Sequence, residues 1–428
     1  MSRGRSRVVE FPVLPARDAD PMSLPPLRAS EHLHDVKYEI RGALARRAEQ
    51  LEREGHEIIK LNIGNPGAFG FRMPGSMRVA IVENLHQADP YSHQKGIFPA
   101  REAVVMQQQS RGVMDVTADD VFIGNGVSEL IMMAMRALLN PGDEVLVPSP
   151  DYPLWTASVV IHGARAVHYP CRPEKGFLPD PDEIEALVTP RTRALVVINP
   201  NNPSGAVYPR ELLARLAAIA ERHHLVFCAD EIYDEMLYDD AAFVPAATLA
   251  PRSLCLTFSG LSKVYRACGL RVGWLVISGE REHARDYIQA IELLASLRLC
   301  SNVPGQFAVQ TALGGYQSIG ELTRPGGRLH ATRQVVLDAV SRSRFLSLVP
   351  PRGAMYGFVK VHGERLPGGF DDQAFALELL ERKHVLVAPG SSFNVPYRDH
   401  FRVTFLPSAE QMADVCGRIE SLLDEQAA

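Results

Sequence analysis

Six short apolar runs, Val121–Ile123, Glu144–Val147, Ala194–Ile198, Leu225–Ala229, Leu254–Phe258 and Trp274–Ile277, end in turn residues and are separated by helical patterns. This alternation constrains the fold more than any other feature of the chain. Brief runs rich in Val, Ile and Leu read as strands buried on both faces. Strands alternating with helices require crossover connections, and so predict a mainly parallel sheet of the α/β class. Ligands of such sheets bind outside the carboxyl ends of the strands. The polar residues just after each run are therefore where chemistry is expected.

The last hundred residues follow a different pattern. Phe358–Val361, Val385–Val387 and Phe401–Phe405 predict strands of a smaller α+β unit. Ser408-Ala409-Glu410-Gln411 reads as a capping box opening a helix, with Met412, Val415, Ile419 and Leu422 on one face. At the other end, residues 1–29 carry Pro12, Pro15, Pro21, Pro25 and Pro26 among Arg and Asp, which predicts a flexible tail. A helical segment is expected from about Val36 to Glu54. The expected organisation is a tail over 1–29, a helical segment over 30–60 packing with the small domain, a large domain over 61–305 and a small C-terminal domain over 306–428.

Composition removes several function classes. With 46% hydrophobic and 22% charged residues over 428 positions, the chain matches ordinary globular proteins rather than disordered or disulfide-stapled ones. A net charge of −5 gives no general attraction to nucleic acid or to anionic lipid. The longest uncharged stretch, Leu299–Gly320, is broken by Ser, Asn, Gln, Gly and Pro, so no membrane span is expected. The first residues lack the apolar core of a secretory signal. Six scattered cysteines without a CxxC pair read as reduced, mostly buried thiols of a cytoplasmic protein, and no metal site is expected. The adjacent His223 and His224 read as a solvated helix end.

The strand ends supply the candidates. Ile123-Gly124-Asn125-Gly126-Val127-Ser128 leads from a strand into a helix over Leu130–Leu139, and amides at a helix start suit phosphate, although such turns are often only turns. Tyr152, in Pro150-Asp151-Tyr152-Pro153, either stacks on a flat ring or packs in the core. Asn199-Pro200-Asn201-Asn202-Pro203-Ser204-Gly205 forms a rigid polar loop or a multiple turn. Asp230 ends a strongly apolar run, so its carboxylate needs a partner: a protonated ring nitrogen, a structural salt bridge or a helix cap. Tyr233, three residues on, is within reach of the same ring. Lys263, in Ser259-Gly260-Leu261-Ser262-Lys263, is a candidate nucleophile toward carbonyls. Arg271, eight residues later, suits a phosphate. Together these parts meet the requirements of pyridoxal 5′-phosphate.

From about Asp35 to near its C-terminus the chain resembles the fold-type-I, class I/II aminotransferases, and among them the bacterial alanine (glutamate–pyruvate) aminotransferases. The likeness rests on Tyr38–Gly42 (YEIRG), Leu61–Gly67 (LNIGNPG), Gly124–Leu130 (GNGVSEL), Asn199–Gly205 (NPNNPSG), Ala229–Asp234 (ADEIYD), Gly260–Arg266 (GLSKVYR) and Phe401–Pro407. The resemblance implies that Lys263 carries the cofactor and moves the substrate proton as general base and acid. It implies that Asp230 pairs with the ring nitrogen, that Tyr233 and Asn202 bond the ring's O3′, and that Tyr152 stacks on the ring. Val127, Ser128, Ser262 and Arg271 would bind the phosphate, with Tyr91 reaching the phosphate of a neighbouring subunit in a homodimer. Arg402, helped by Gly64 and Asn202, would clamp the substrate carboxylate. Gly260 departs from the family pattern, since many relatives have a serine there.

The implied activity is a ping-pong alanine transamination between alanine/pyruvate and glutamate/2-oxoglutarate. Tyr38 and Arg41, three residues apart on one helix face, are expected to read the distal carboxylate, with a surface role for Arg41 or a rival in Arg298 as alternatives. Other amino donors, such as valine or an aromatic, and β-elimination use the same ring contacts. A ligand-sensing module is disfavoured, because the tail is too short for a DNA-binding segment.

Overall fold

The computed structural model describes residues 27–33, 36 and 42–428. The tail expected over 1–29 lies almost wholly outside the described residues, as do Tyr38 and Arg41. In chain order, α1 (Ala43–Arg53) and the two-residue strand β1 (Ile59–Lys60) precede α2 (Gly75–Asn84) and α3 (Phe98–Ser110). The large sheet then takes β2 (Val121–Gly124), β3 (Glu144–Ser149), β4 (Arg165–Pro170), β5 (Thr192–Ile198), β6 (Val226–Asp230), β7 (Leu254–Gly260) and β8 (Gly273–Gly279). Its spatial order is β2-β8-β7-β6-β5-β3-β4. Helices α4 (Val127–Leu138), α5 (Leu154–Val160), α6 (Pro181–Ala186) and α7 (Arg210–Arg222) lie between its strands, and α8 (Arg285–Leu297) and α9 (Val303–Gly314) follow.

All six expected runs are strands of this sheet. Their continuous apolar character follows from burial on both faces. Phe122, Val145, Val147, Ala194, Val196 and Ile198 belong to one core, while Ile123, Leu146, Leu195 and Val197 belong to the other. The period of two along each strand sends alternate side chains to opposite sides. β4 was not expected: it is an edge strand of mixed exposure, so the sequence Arg-Ala-Val-His-Tyr-Pro carries no clean apolar run.

Only β8 runs against its neighbours, antiparallel to both β7 and β2. The other pairings are parallel. This reversal brings the start of β8, and with it Arg271, to the edge where the other strands end. The carboxyl ends of β2, β3, β5, β6 and β7 therefore meet the beginning of β8 on one side of the sheet.

The C-terminal part contributes α10 (Ile319–Thr323), α11 (Arg328–Arg342), β9 (Leu346–Leu348), β10 (Tyr356–Val361), α12 (Asp372–Lys383), β11 (Val385–Leu386), β12 (Ala388–Pro389), β13 (His400–Thr404) and α13 (Ala409–Ala427). Its antiparallel sheet has the order β12-β13-β10-β9. Ser408 caps α13 by accepting from the Gln411 backbone N–H at 3.1 Å, and the expected face of Met412, Val415, Ile419 and Leu422 is buried. β1 pairs in parallel with β11, and Arg47 of α1 bonds Glu381 of α12 at 3.0 Å. The first described strand thus belongs with the last third of the chain. Among the described residues no helix is long and apolar enough to cross a membrane. All six cysteines are free thiols, three of them buried and three half-buried.

Candidate active site

A cavity of about 790 Å³ opens at the carboxyl edge of the large sheet. Val127, Ser128, Tyr152, Asn202, Asp230, Tyr233, Ser262, Lys263, Arg271, Gly64 and Arg402 all line it. Residues drawn from both ends of the sequence and from five strand ends therefore meet in one space.

One end gathers groups whose chemistry suits an anion. Gly126 precedes α4 with φ 84°, a conformation that suits glycine, and a Cβ there would lie 2.3 Å from Arg271 Nη2. Arg271 donates to the carbonyls of Asn125 and Cys268 at 3.2 and 3.1 Å, which aims its guanidinium across the start of the helix. Glu129 holds Asn125 by accepting from its backbone N–H at 2.7 Å and from its side-chain amide at 2.9 Å. The free amides at Val127 and Ser128 and the positive end of the helix face the same point. The helix begins three residues earlier than expected, because the turn itself forms its first turn.

Gly260, the departure from the family pattern, has a steric cause. A Cβ at this position would meet the Val272 carbonyl at 2.7 Å and Gly273 Cα at 2.8 Å. A Cβ on Gly273 would in turn meet the Val127 backbone nitrogen at 2.6 Å. β7, β8 and the start of α4 press together here without side chains between them, so a serine has no room. Ser262 lines the cavity, and its carbonyl accepts from the Cys268 thiol at 2.9 Å.

The other polar groups lie deeper. Asp230 ends β6 fully buried and accepts from Trp155 Nε1 at 3.0 Å. Burial pushes its carboxyl up to about 6, with the Trp155 bond and the charge of Lys263 pulling the other way. No described cation forms an ion pair with it, which disfavours the structural salt bridge. Tyr233 is buried, with its hydroxyl 2.8 Å from that of Tyr356. Lys263 is half-buried and donates from Nζ to the Gly64 carbonyl at 2.7 Å. The asparagine-rich loop divides its work. Asn199 accepts from Tyr208 N–H and Asn201 from Ser204, so both hold the loop, while Asn202 Oδ1 turns to the cavity and accepts from Arg402 Nη1 at 2.9 Å.

Arg402, on β13, is 2% exposed. It also donates to the Asn62 carbonyl, and its guanidinium lies between the rings of Tyr356 and Phe393, 4.3 and 4.7 Å from their centroids. Tyr91 is 78% exposed and lies outside the cavity. Arg298 is also outside it: it bonds Glu129 at 2.5 Å and the Ile123 carbonyl at 2.8 Å, so it braces the turn before α4. Sequence reasoning missed Tyr356, Phe393, Trp155 and Lys60. The aromatic residues sit inside strand or helix patterns and read as core. Lys60 lines the cavity from β1, with its amine paired to Glu52 at 2.7 Å.

The residues fit the pyridoxal phosphate that the resemblance implies. A buried carboxylate held by neutral donors suits a cationic ring nitrogen, a helix start with an arginine suits the phosphate, and an amine stands between them. Residues 56–419 match the family model "Aminotransferase class I and II". The chain is 50% identical to "Glutamate-pyruvate aminotransferase AlaA" of Escherichia coli (strain K12), over 90% of this chain and 95% of that one. It is 48% identical to "Alanine aminotransferase" of Mycobacterium tuberculosis (strain CDC 1551 / Oshkosh), over 92% of each. The fold is similar to the crystal structure of an Escherichia coli aminotransferase, with TM-score 0.93, 48% identity and coverage of 94% of this chain and 100% of that one. It is also similar to an alanine aminotransferase from Pyrococcus furiosus, with TM-score 0.88, 34% identity and coverage of 93% and 100%.

Next to Tyr152, Asp151 is fully buried and accepts from Thr156 Oγ1 at 2.6 Å and from Asn394 Nδ2 at 2.8 Å. Burial outweighs both bonds and pushes its carboxyl up to about 7. Above the unfolded value of about 3.9, the unfolded chain has released this proton while the folded chain keeps it. The native state should therefore lose about 1.4 kcal/mol per pH unit on this account as pH rises from about 4 to about 7. Asp151→Asn removes that loss, so the stability of the variant relative to wild type should climb with pH across this window. Urea melts at both ends of it measure the change, and a difference that stays constant with pH would refute the assignment.

Proposed function

The chain belongs to the class I and II aminotransferases, and from that premise we propose that it is a pyridoxal phosphate-dependent alanine aminotransferase moving an amino group between L-alanine/pyruvate and L-glutamate/2-oxoglutarate. The observation that carries this reading is the meeting of an amine, a buried carboxylate and a buried guanidinium in one cavity: Lys263, Asp230 and Arg402. The names of the relatives support the choice of substrates.

Pyridoxal phosphate, when bound, supplies an electron sink for charge at the substrate Cα. Asp230 holds a proton on the ring nitrogen, and Trp155 orients the carboxylate for that task. Tyr233 donates to O3′. Asn202 gives its carbonyl oxygen to Arg402, which leaves its N–H₂ group to donate to the same ring oxygen. Tyr152 would stack on the ring, Val127, Ser128, Ser262 and Arg271 would hold the phosphate, and Arg402 with Gly64 would align the substrate carboxylate. Lys263 Nζ would hold the cofactor's aldehyde carbon, and its amine would take the proton from the substrate Cα and return it as general base and acid. Each half of the ping-pong cycle uses the same groups.

The reading takes 61–305 as the large cofactor-binding domain, 306–428 as the small domain, and 30–60 as a segment packed on the latter. The pairing of β1 with β11 supports the last assignment. It takes the protein as a cytoplasmic homodimer without nucleic acid or membrane partners. Exposed apolar side chains on α2, α3 and α8, among them Val79, Val82, Phe98, Leu293 and Leu297, together with exposed Tyr91, support the homodimer reading. Arg41 reads the distal carboxylate in this scheme, and Lys60 is its described rival.

Four measurements test the scheme. Wild-type protein loaded with pyridoxal phosphate should lose its yellow colour with L-alanine and with L-glutamate. Lys263→Ala should reduce turnover by several orders of magnitude, and near wild-type turnover would end the assignment. For the dimer, inactive Lys263→Ala chains mixed with inactive Tyr91→Phe chains should regain activity through sites with both residues intact. No recovery after confirmed subunit exchange would exclude a shared site. Arg41→Ala should raise KM for glutamate and 2-oxoglutarate by about 10- to 150-fold, as loss of a charge-assisted bond implies, with little change for alanine and pyruvate. Equal effects on both pairs would show that Arg41 supports the helix instead.

A further inference from the structure

Tyr356 begins β10, next to β13 and directly opposite Thr404. Its ring face lies 4.3 Å from the Arg402 guanidinium, and its hydroxyl lies 2.8 Å from that of Tyr233. The two tyrosine rings meet edge to face, with centroids 5.7 Å apart at 82°. A Cβ on Gly64 would fall 2.2 Å from the Tyr356 hydroxyl, so the glycine makes room for it. The carbonyl of that glycine accepts from Lys263. One side chain therefore touches the carboxylate clamp, the phenol meant for O3′ and the residue that holds the amine.

The order of donors follows from chemistry. Tyr233 has one proton, and burial, followed by its bond to Tyr356, holds that hydroxyl well above its ordinary range, so it stays protonated. If that proton goes to a ring oxygen, the bond between the two phenols must come from Tyr356. A hydroxyl that accepts a bond donates more strongly itself.

We propose that Tyr356 is a positioning residue with two separable roles: its hydroxyl donates to Tyr233 and so strengthens the donation of Tyr233 to O3′, while its ring holds the Arg402 guanidinium in the plane that meets the substrate carboxylate. This inference rests on the aminotransferase reading above and deepens it. The titratable and charged groups shown against Tyr356 are Tyr233 and Arg402, and Lys263 bonds the Gly64 carbonyl of the glycine beside its hydroxyl.

Two variants separate the roles in the holoenzyme. Tyr356→Phe keeps the ring and removes the hydroxyl. Donation to O3′ stabilises negative charge there, so a weaker donor should raise the pH midpoint of the colour change of the bound cofactor. Strengthening of about 10–30% on a bond to a charged group corresponds to a rise of about 0.1–0.7 pH unit. Tyr233→Phe should give a larger rise. Because Tyr356 acts through Tyr233, adding Tyr356→Phe to Tyr233→Phe should produce no further shift. A downward shift, no shift, or an equal shift in the Tyr233→Phe background would overturn the hydroxyl role.

Tyr356→Leu removes the ring as well. It should raise KM for L-alanine and L-glutamate alike, by about 2- to 30-fold for a lost buried cation–π contact, because both share the α-carboxylate. Tyr356→Phe should leave KM within about twofold of wild type, since its ring persists. An unchanged KM in Tyr356→Leu, or an equal rise in both variants, would overturn the ring role. Failure of wild-type protein to change colour with either amino acid would instead defeat the functional reading, so the two failures are distinguishable.

Discussion

The guanidinium of Arg402 is a charge taken almost wholly out of water, and burial of an ion costs several kcal/mol unless its surroundings compensate. The chain compensates from widely separated stretches. Asn62 supplies a carbonyl from 340 residues away in sequence, and Asn202 supplies an amide oxygen from 200 residues away. The rings of Tyr356 and Phe393 lie 4.3 and 4.7 Å from the guanidinium carbon. The N-terminal crossing, the loop after β5 and the small sheet therefore converge on one cation. The cavity between the large sheet and the C-terminal elements owes its shape to that convergence.

The opposite wall depends on missing side chains. Gly126, Gly260 and Gly273 let a helix start, a parallel strand end and the one reversed strand approach within backbone contact. Arg271 bonds the Asn125 and Cys268 carbonyls beside that contact. The cavity thus has a side-chain-poor wall at the start of α4 and a wall of large aromatic and cationic groups around Arg402. Asp151 joins the two sides, since its backbone N–H donates to the Phe393 carbonyl at 3.1 Å while its carboxylate accepts from Asn394.

The strands of the large sheet were legible because burial on both faces leaves an uninterrupted apolar signal. β4 was not, because an edge strand can carry Arg165 and His168 without penalty. The strand-end residues of the site were legible as well: a polar or charged group after a buried strand needs a reason. Asp230, Lys263 and the asparagine loop met that criterion, and the structure gathers them into one cavity. Tyr356 and Phe393 escaped because an aromatic within a strand or turn of a small sheet looks like packing, and only the three-dimensional approach of Arg402 gives them another meaning. The steric demand at Gly260 was equally hidden, since it comes from a neighbouring strand rather than from local sequence. Arg298, weighed as a rival substrate reader, lies outside the cavity lining and bonds Glu129 and the Ile123 carbonyl.

The pairing of β1 with β11 has a consequence for how the molecule is made. A ribosome releases Ile59 and Lys60 long before Val385 and Leu386, their strand partners, exist. All seven strands of the large sheet lie before residue 280, so a chain synthesised that far already carries Lys263, Asp230 and the turn before α4. It lacks the strand that receives β1, the rings that flank the guanidinium, and the guanidinium itself. The Lys263 amine is thus present well before Arg402, the guanidinium that the functional reading sets against a substrate carboxylate, and domains that fold as units during synthesis would complete the two walls of the cavity at different times.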